Sequence, residues 1–388
     1  MDQPSDLAGV RPRSPLAGAA GLLPRQAIRE LVARGVVGAV RDVRPSQFQP
    51  ASLDLRLGRR AWRVRASFLP GAGATVEEKL AALRADPISL EGNGAVLERG
   101  SVYVVELVEF LNLPNTVSAF ANPKSSTGRL DVFTRLITDN SEVFDTVRVG
   151  YAGRVYAEVS PRSFSIKVRD GTRLNQIRFR RRTSGQDSVA DARIEDRQLR
   201  DFHAKTPLVD GEILNVRNGL VMRIELAGIG PERLLGFRAQ RHTDVIDVDR
   251  IAAYPAEDFW EPIRAKADRR LILDPNEFYI LVSKEKLHIP PTLAAEMVPI
   301  DPTMGEFRVH YAGFFDPGFG YTEAGHPGSR AVLEVRSHEV PFNLEDGQMV
   351  CRLVYEAMVE APDGLYGAIG TSNYQGQELK LSKQFIQP

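Results

Sequence analysis

Apolar and polar positions along the chain fall into a helical rhythm in only two places. Over PRQAIRELVAR, residues 24–34, Ile28, Leu31 and Val32 share one helical face, with Pro24 placed to open the helix and Gly35 to close it. TVEEKLAALRAD, residues 75–86, reads as a second helix. Elsewhere the apolar runs are short, rich in Val, Ile, Phe and Tyr, and broken by Pro and Gly. That pattern predicts an all-β sandwich or barrel with a few short helices.

The polar stretches mark the boundaries. Residues 1–21 are rich in Pro, Gly and Ala, lack the apolar core of a signal peptide, and read as a mobile arm. Residues 183–213 are charged and poor in large apolar side chains, and read as a linker between domains at 22–182 and 214–388. Across that linker the sequence repeats itself. LERGSVYVVELVEFLNLPNTV, from Leu97, matches LDPNEFYILVSKEKLHIPPTL, from Leu273, an offset of 176 positions (273 − 97). The same offset pairs Tyr103 with Tyr279, Pro114 with Pro290, Glu158 with Glu334, and Gly171 with Gly347. The chain reads as a tandem duplication.

Composition adds exclusions. Fifty basic residues balance fifty acidic ones, so no general affinity for nucleic acid or an anionic membrane is expected. The single cysteine, Cys351, allows no internal disulfide and no Cys/His zinc cluster, which points to a reducing, cytoplasmic compartment. No apolar run approaches the roughly 20 residues that span a bilayer.

The candidate chemistry lies where the copies differ. Each carries a glutamate within an apolar strand, Glu158 beside Tyr156 by alternation and Glu334 beside Val332. Taken singly, each is expected to face solvent, because a glutamate on a core face is costly unless paired or used; its recurrence argues for use. Only the first copy has KSSTGR, residues 124–129, and only the second has AGFFDPGFG, residues 312–320. The second copy alone ends in LYGAIGTSNYQGQELKLSK, residues 365–383, whose aromatics and amides between glycines suit either a frayed terminus or a lid.

Together, KSSTGR before a strand, an Asp-Pro-Gly hairpin, a strand glutamate and a Tyr-rich tail ending in Gln resemble deoxycytidine triphosphate deaminases of the trimeric deoxyuridine triphosphatase superfamily, in their tandem-duplicated bacterial form. The resemblance implies a distorted jelly-roll β-barrel in each half and a site between neighbouring barrels. Lys124, Ser125, Ser126 and Arg129 would come from the first barrel, and Ala312, Gly313, Asp316, Glu334, Tyr366, Asn373 and Gln377 from the second. It implies hydrolysis of dCTP to dUTP and ammonia by a water that Glu334 activates and Arg129 and Ser125 hold, with the phosphates on Lys124 and the serines, and Asp316 on the 3′-hydroxyl. Zinc would have no part, magnesium would arrive only with the triphosphate, and a homo-oligomer and feedback by dTTP are expected. Departures are Lys124 and Asn373, where the family carries arginine and lysine, and Gly313 and Phe314, where it carries histidine and arginine.

Three alternatives stay open. The chain could hydrolyse dUTP, alone or after deamination; it could bind deoxynucleotides without chemistry; or Glu158 rather than Glu334 could be the base.

Overall fold

The computed structural model describes residues 20–182, 193–210, 214–299, 313–321, 328–337, 339–368, 370 and 372–387, and the backbone of 307–310. Within these the chain is all-β with four short helices, and the two halves share the same central strand order. In the first half Leu57–Val64, Val102–Asn112, Ala152–Pro161 and Val132–Thr138 lie side by side in that order, as do Leu234–Ala239, Phe278–Leu287, Ser329–Ser337 and Phe307–His310 in the second. A second sheet runs Asn175–Arg181, Val117–Pro123, Thr146–Val147 in the first half and Met349–Ala357, Leu293–Pro299, Phe314–Phe315 in the second. Each half is therefore a jelly-roll-type barrel of two facing sheets.

Two of the repeated landmark pairs do the same work in both copies. The Tyr103 hydroxyl accepts from the Glu98 amide at 2.9 Å, and the Tyr279 hydroxyl from the Asp274 amide at 2.9 Å. The Pro114 carbonyl accepts from Val117 N at 3.1 Å, and the Pro290 carbonyl from Leu293 N at 3.1 Å. Each pair caps a strand end that has no ladder partner for these groups, which is why the sequence keeps them.

Helix α1, Arg25–Ala33, opens after Pro24 and buries Ala27, Ile28 and Leu31, with Val32 only partly covered. Helix α2 is shorter than its sequence pattern, Val76–Ala82. Thr75 and Glu78 cap its start reciprocally, and Arg84 turns left-handed (φ 49°) so that residues from Asp86 enter a strand, Asp86–Ser89. Helix α3 is the single turn Ser125–Gly128, and α4, Asp196–His203, stands inside the stretch that reads as linker. Leu199 of α4 is fully buried in the second barrel, so part of that stretch belongs to its core.

The sheet face that carries Val332 and Glu334 does not meet solvent. Val332, Ile280 and Phe278 join a core that continues through Trp260 and Phe164 into the first barrel, and the Phe164 and Trp260 ring centroids lie 5.3 Å apart. The corresponding face of the first barrel, with Val104, Ile137 and Tyr156, is covered instead by Val76 and Leu80 of α2. Burying two such side chains contributes about 4 kcal/mol. Where the second barrel docks on a neighbour, the first wears a helix.

Candidate active site between the two halves

Strand Val117–Pro123 delivers the chain to Lys124, whose amide donates to the Leu174 carbonyl at 2.8 Å. The turn that follows is fixed by Thr127 Oγ1, which donates to the same carbonyl at 2.9 Å, and by buried Gly128 and Asp131. Asp131, left-handed at φ 54°, accepts from Ser163 Oγ at 2.6 Å and from Arg336 of the second barrel. That buried ion pair clamps the KSSTGR turn against the Ser329–Ser337 strand. The two hydroxyls, two cations and glycine are thus presented to the other half of the same chain.

Arg129 is the joint. Its side chain is 4 % exposed and its Nε lies 4.0 Å from Glu334 Oε1. Nη2 donates to Gln377 Oε1 at 3.0 Å, Nη1 to the Lys380 carbonyl at 2.9 Å, and the guanidinium carbon stands 3.8 Å over the Tyr374 ring. Nε itself is buried without a hydrogen-bond partner and points toward the carboxylate. Glu334 is buried opposite Ile280 and His310 in its sheet, and burial pushes its carboxyl up to about 8, with the Arg129 cation opposing that rise. Both glutamates are core-facing; the expectation of solvent exposure is wrong for each, because neighbouring cations compensate them.

The Phe314–Phe315 hairpin closes the far wall. Asp316 is buried and its Oδ1 accepts from Arg178 Nη2 at 2.8 Å; burial raises its carboxyl while Arg178 and Lys124 pull it down. Arg178 also donates to the Ala295 and Phe315 carbonyls, at 3.1 and 3.0 Å, and stacks 4.1 Å from the Phe314 ring. The tail lies directly on this hairpin. At Gly318 (φ 99°) an added Cβ would stand 2.7 Å from the Tyr366 amide, so only glycine permits the contact. The Tyr366 hydroxyl in turn accepts from the Tyr374 amide at 3.1 Å.

One cavity therefore gathers Lys124, Ser125 and Arg129 of the first barrel with Gly313, Asp316, Glu334, Tyr366 and Gln377 of the second. Ser126 and Asn373 line adjoining space. Ala312 lies outside the described residues. Lys124 is already engaged, since its ammonium pairs with buried Asp54. The cavity holds only about 50 Å³, whereas nucleotide-sized pockets run to several hundred.

Glu158 belongs to a different environment. Its Oε1 is held by Arg135 Nη2 at 2.6 Å, and Arg135 is stacked 3.5 Å from the Phe144 ring and 4.7 Å from Phe133. The register explains the loss. Thr146 stands opposite Phe120 as Phe314 stands opposite Glu296, so the first copy places Arg148 where the second has Asp316. The sign of the charge is reversed at that position.

Comparison with known proteins matches both halves. Residues 19–183 fit the N-terminal domain of 2′-deoxycytidine 5′-triphosphate deaminase and residues 195–385 its C-terminal domain. The chain belongs to the dCTP deaminase family. It is 54% identical to a protein of Agrobacterium tumefaciens whose crystal structure is titled 2′-deoxycytidine 5′-triphosphate deaminase, with a TM-score of 0.84, covering 90% of this chain and 98% of that one. It is also similar to proteins named "dCTP deaminase, dUMP-forming" from Methanosphaera stadtmanae, 29% identical over 31% of this chain, and Methanobrevibacter smithii, 31% identical over 32%. The aligned part spans 59% and 61% of those two relatives' own lengths.

Against this dCTP deaminase framework, two contributors escape the sequence reading, Arg178 and Asp54. Arg178 sits in an arginine-rich strand end that looks like the start of a charged linker, although every residue of Asn175–Arg181 is buried. Asp54 carries no motif. Tyr374 is visible in the tail, but only the fold puts its ring under Arg129.

Proposed function

We propose that this chain deaminates dCTP, with water adding to C4 of the cytosine ring and ammonia leaving to give dUTP. The observation that carries the reading is the meeting of Arg129 from one half with buried Glu334 from the other, 4.0 Å apart, in a cavity also lined by Ser125 and Asp316. Glu334 takes a proton from the attacking water and returns it by way of the ring nitrogen to the departing amine. Arg129 and Ser125 hold water and carboxylate in line. The cation of Arg129 also favours the ionised glutamate that a base requires.

Asp316, fixed by Arg178, accepts from the 3′-hydroxyl. Backbone groups at Ala312 and Gly313 read the cytosine edge. Lys124, Ser125 and Ser126 take the phosphates, Lys124 by exchanging Asp54 for phosphate oxygen. A 50 Å³ cavity admits the nucleoside only when the tail opens, so Tyr366, Asn373 and Gln377 act as a lid. Magnesium enters as the partner of the triphosphate. Zinc has no part: the single cysteine is buried in the core of the second barrel, with its thiol pushed up by burial. A homo-oligomer and dTTP as a competing ligand of the same cavity complete the proposal.

The names of the methanogen relatives favour a second reading, in which dUTP is carried on to dUMP. Incubating the purified protein with dCTP and magnesium and following ammonia, dUTP and dUMP separates the cases. Ammonia with dUTP supports deamination alone, and dUMP supports both steps. Binding without ammonia refutes the proposal in favour of a nucleotide-binding regulator.

A further inference from the structure

Beside the catalytic cavity lies a second one of about 290 Å³, which shares Lys124 and the KSSTGR turn with it. Three cations line this space: Lys124, Arg173 and Lys383. Two carboxylates face them. Asp54 is held between Lys124 and Arg173, 3.4 Å from Arg173 Nη1, and Asp249 accepts from Thr172 Oγ1 at 2.7 Å and pairs with Arg169 at 3.3 Å. Both acids are therefore engaged by other partners. No hydrogen bond or ion pair to a described residue holds the Lys383 ammonium.

The position of Lys383 is not accidental. Its neighbour Ser382 donates from Oγ to the Ser126 carbonyl at 2.7 Å, so the tail is tied to the backbone of the KSSTGR turn itself. Its own carbonyl accepts from Ala252 N at 2.9 Å, and Leu381 and Phe385 on either side are buried in the shared core. A flexible cation is thus mounted on a rigid segment one residue from the turn. Burial above all, and then the nearby charges of Lys124 and Arg173, lower its affinity for a proton, with Asp54 and Asp249 opposing them.

We infer that Lys383, with Arg173, binds the distal phosphates of the nucleoside triphosphate and so selects triphosphate over monophosphate substrates. This rests on the proposed deaminase reading but assigns residues that the KSSTGR motif does not contain. The second cavity is where a chain of phosphates leaving the nucleoside pocket past Lys124 arrives, and an anion there satisfies the unpaired ammonium. Seen this way, the cation missing at Asn373 is supplied ten residues further along the same tail.

The test compares wild type with Lys383→Met and Lys383→Arg. Calorimetry with inorganic tripolyphosphate reads the site without relying on turnover, and steady-state kinetics with dCTP reads its use. Lys383→Met should weaken tripolyphosphate binding about tenfold and raise KM for dCTP by a similar factor. Inhibition by dCMP should stay within twofold, and Lys383→Arg should restore most of the loss. Because the methionine removes a half-buried, unpaired charge, the ligand-free Tm of that variant should rise. Tripolyphosphate affinity within twofold of wild type would overturn the inference, as would an equal loss toward dCMP or a fall in Tm, which mark a structural role. If wild type releases no ammonia from dCTP, the deaminase reading fails, while the calorimetric comparison still decides whether Lys383 binds polyphosphate.

Discussion

Replacing Glu334 by Gln should abolish deamination and, at alkaline pH, stabilise the protein. The carboxyl is driven from an ordinary value of 4.5 to about 8 by burial. A raised carboxyl favours the neutral form in the folded state, so its contribution is complete below pH 4.5 and is lost as pH climbs through 8. At about 1.4 kcal/mol per pH unit, the unfolded chain ionising Glu334 while the fold keeps it neutral lowers stability by about 1 kcal/mol at pH 5, about 3 at pH 7 and about 5 beyond pH 9. Glutamine fills the same space and never ionises. Urea denaturation of wild type and Glu334→Gln across pH 5 to 9 should therefore show the variant gaining about 4 kcal/mol on wild type over that range. Parallel stability curves would refute the burial argument, and a variant that still releases ammonia would refute the assignment of the base.

Other consequences follow from the same geometry. The kcat/KM for dCTP should rise with pH along a limb centred near 8; a flat profile counts against Glu334 as base. Arg135→Met leaves Glu158 buried and uncompensated, and should lower stability by on the order of 3 kcal/mol in denaturant unfolding while kcat for folded protein changes little. Arg178→Met frees Asp316 from its clamp and should raise KM for dCTP at least tenfold, with a smaller effect on the 3′-deoxy analogue, which has no hydroxyl to place.

The duplication was legible because its anchors are local. A Tyr hydroxyl bonding five residues back, or a Pro carbonyl bonding three residues on, depends on short stretches that the sequence repeats intact. The split of the site was legible for a related reason: KSSTGR and the Asp-Pro-Gly hairpin are each confined to one copy. The 75–86 pattern ran past its helix because nothing in side-chain periodicity reveals that Arg84 turns left-handed. Arg178 and Asp54 were out of reach because their partners, Asp316 and Lys124, lie 138 and 70 residues away. For Glu158 the sequence left the question open. Its pairing with Arg135 and the substitution of Arg148 for the hairpin acid appear only once strand register is known.

The central claim is that one chain builds a whole site, with Arg129 and Glu334 contributed by its own two halves. Mixing purified Arg129→Ala with purified Glu334→Gln, each inactive, and refolding them together tests it directly. If the site lies within the chain, no mixed particle holds an intact Arg129–Glu334 pair and ammonia release from dCTP stays at background. Recovery of a substantial fraction of wild-type turnover would mean that the pair is completed between chains, and would contradict the account.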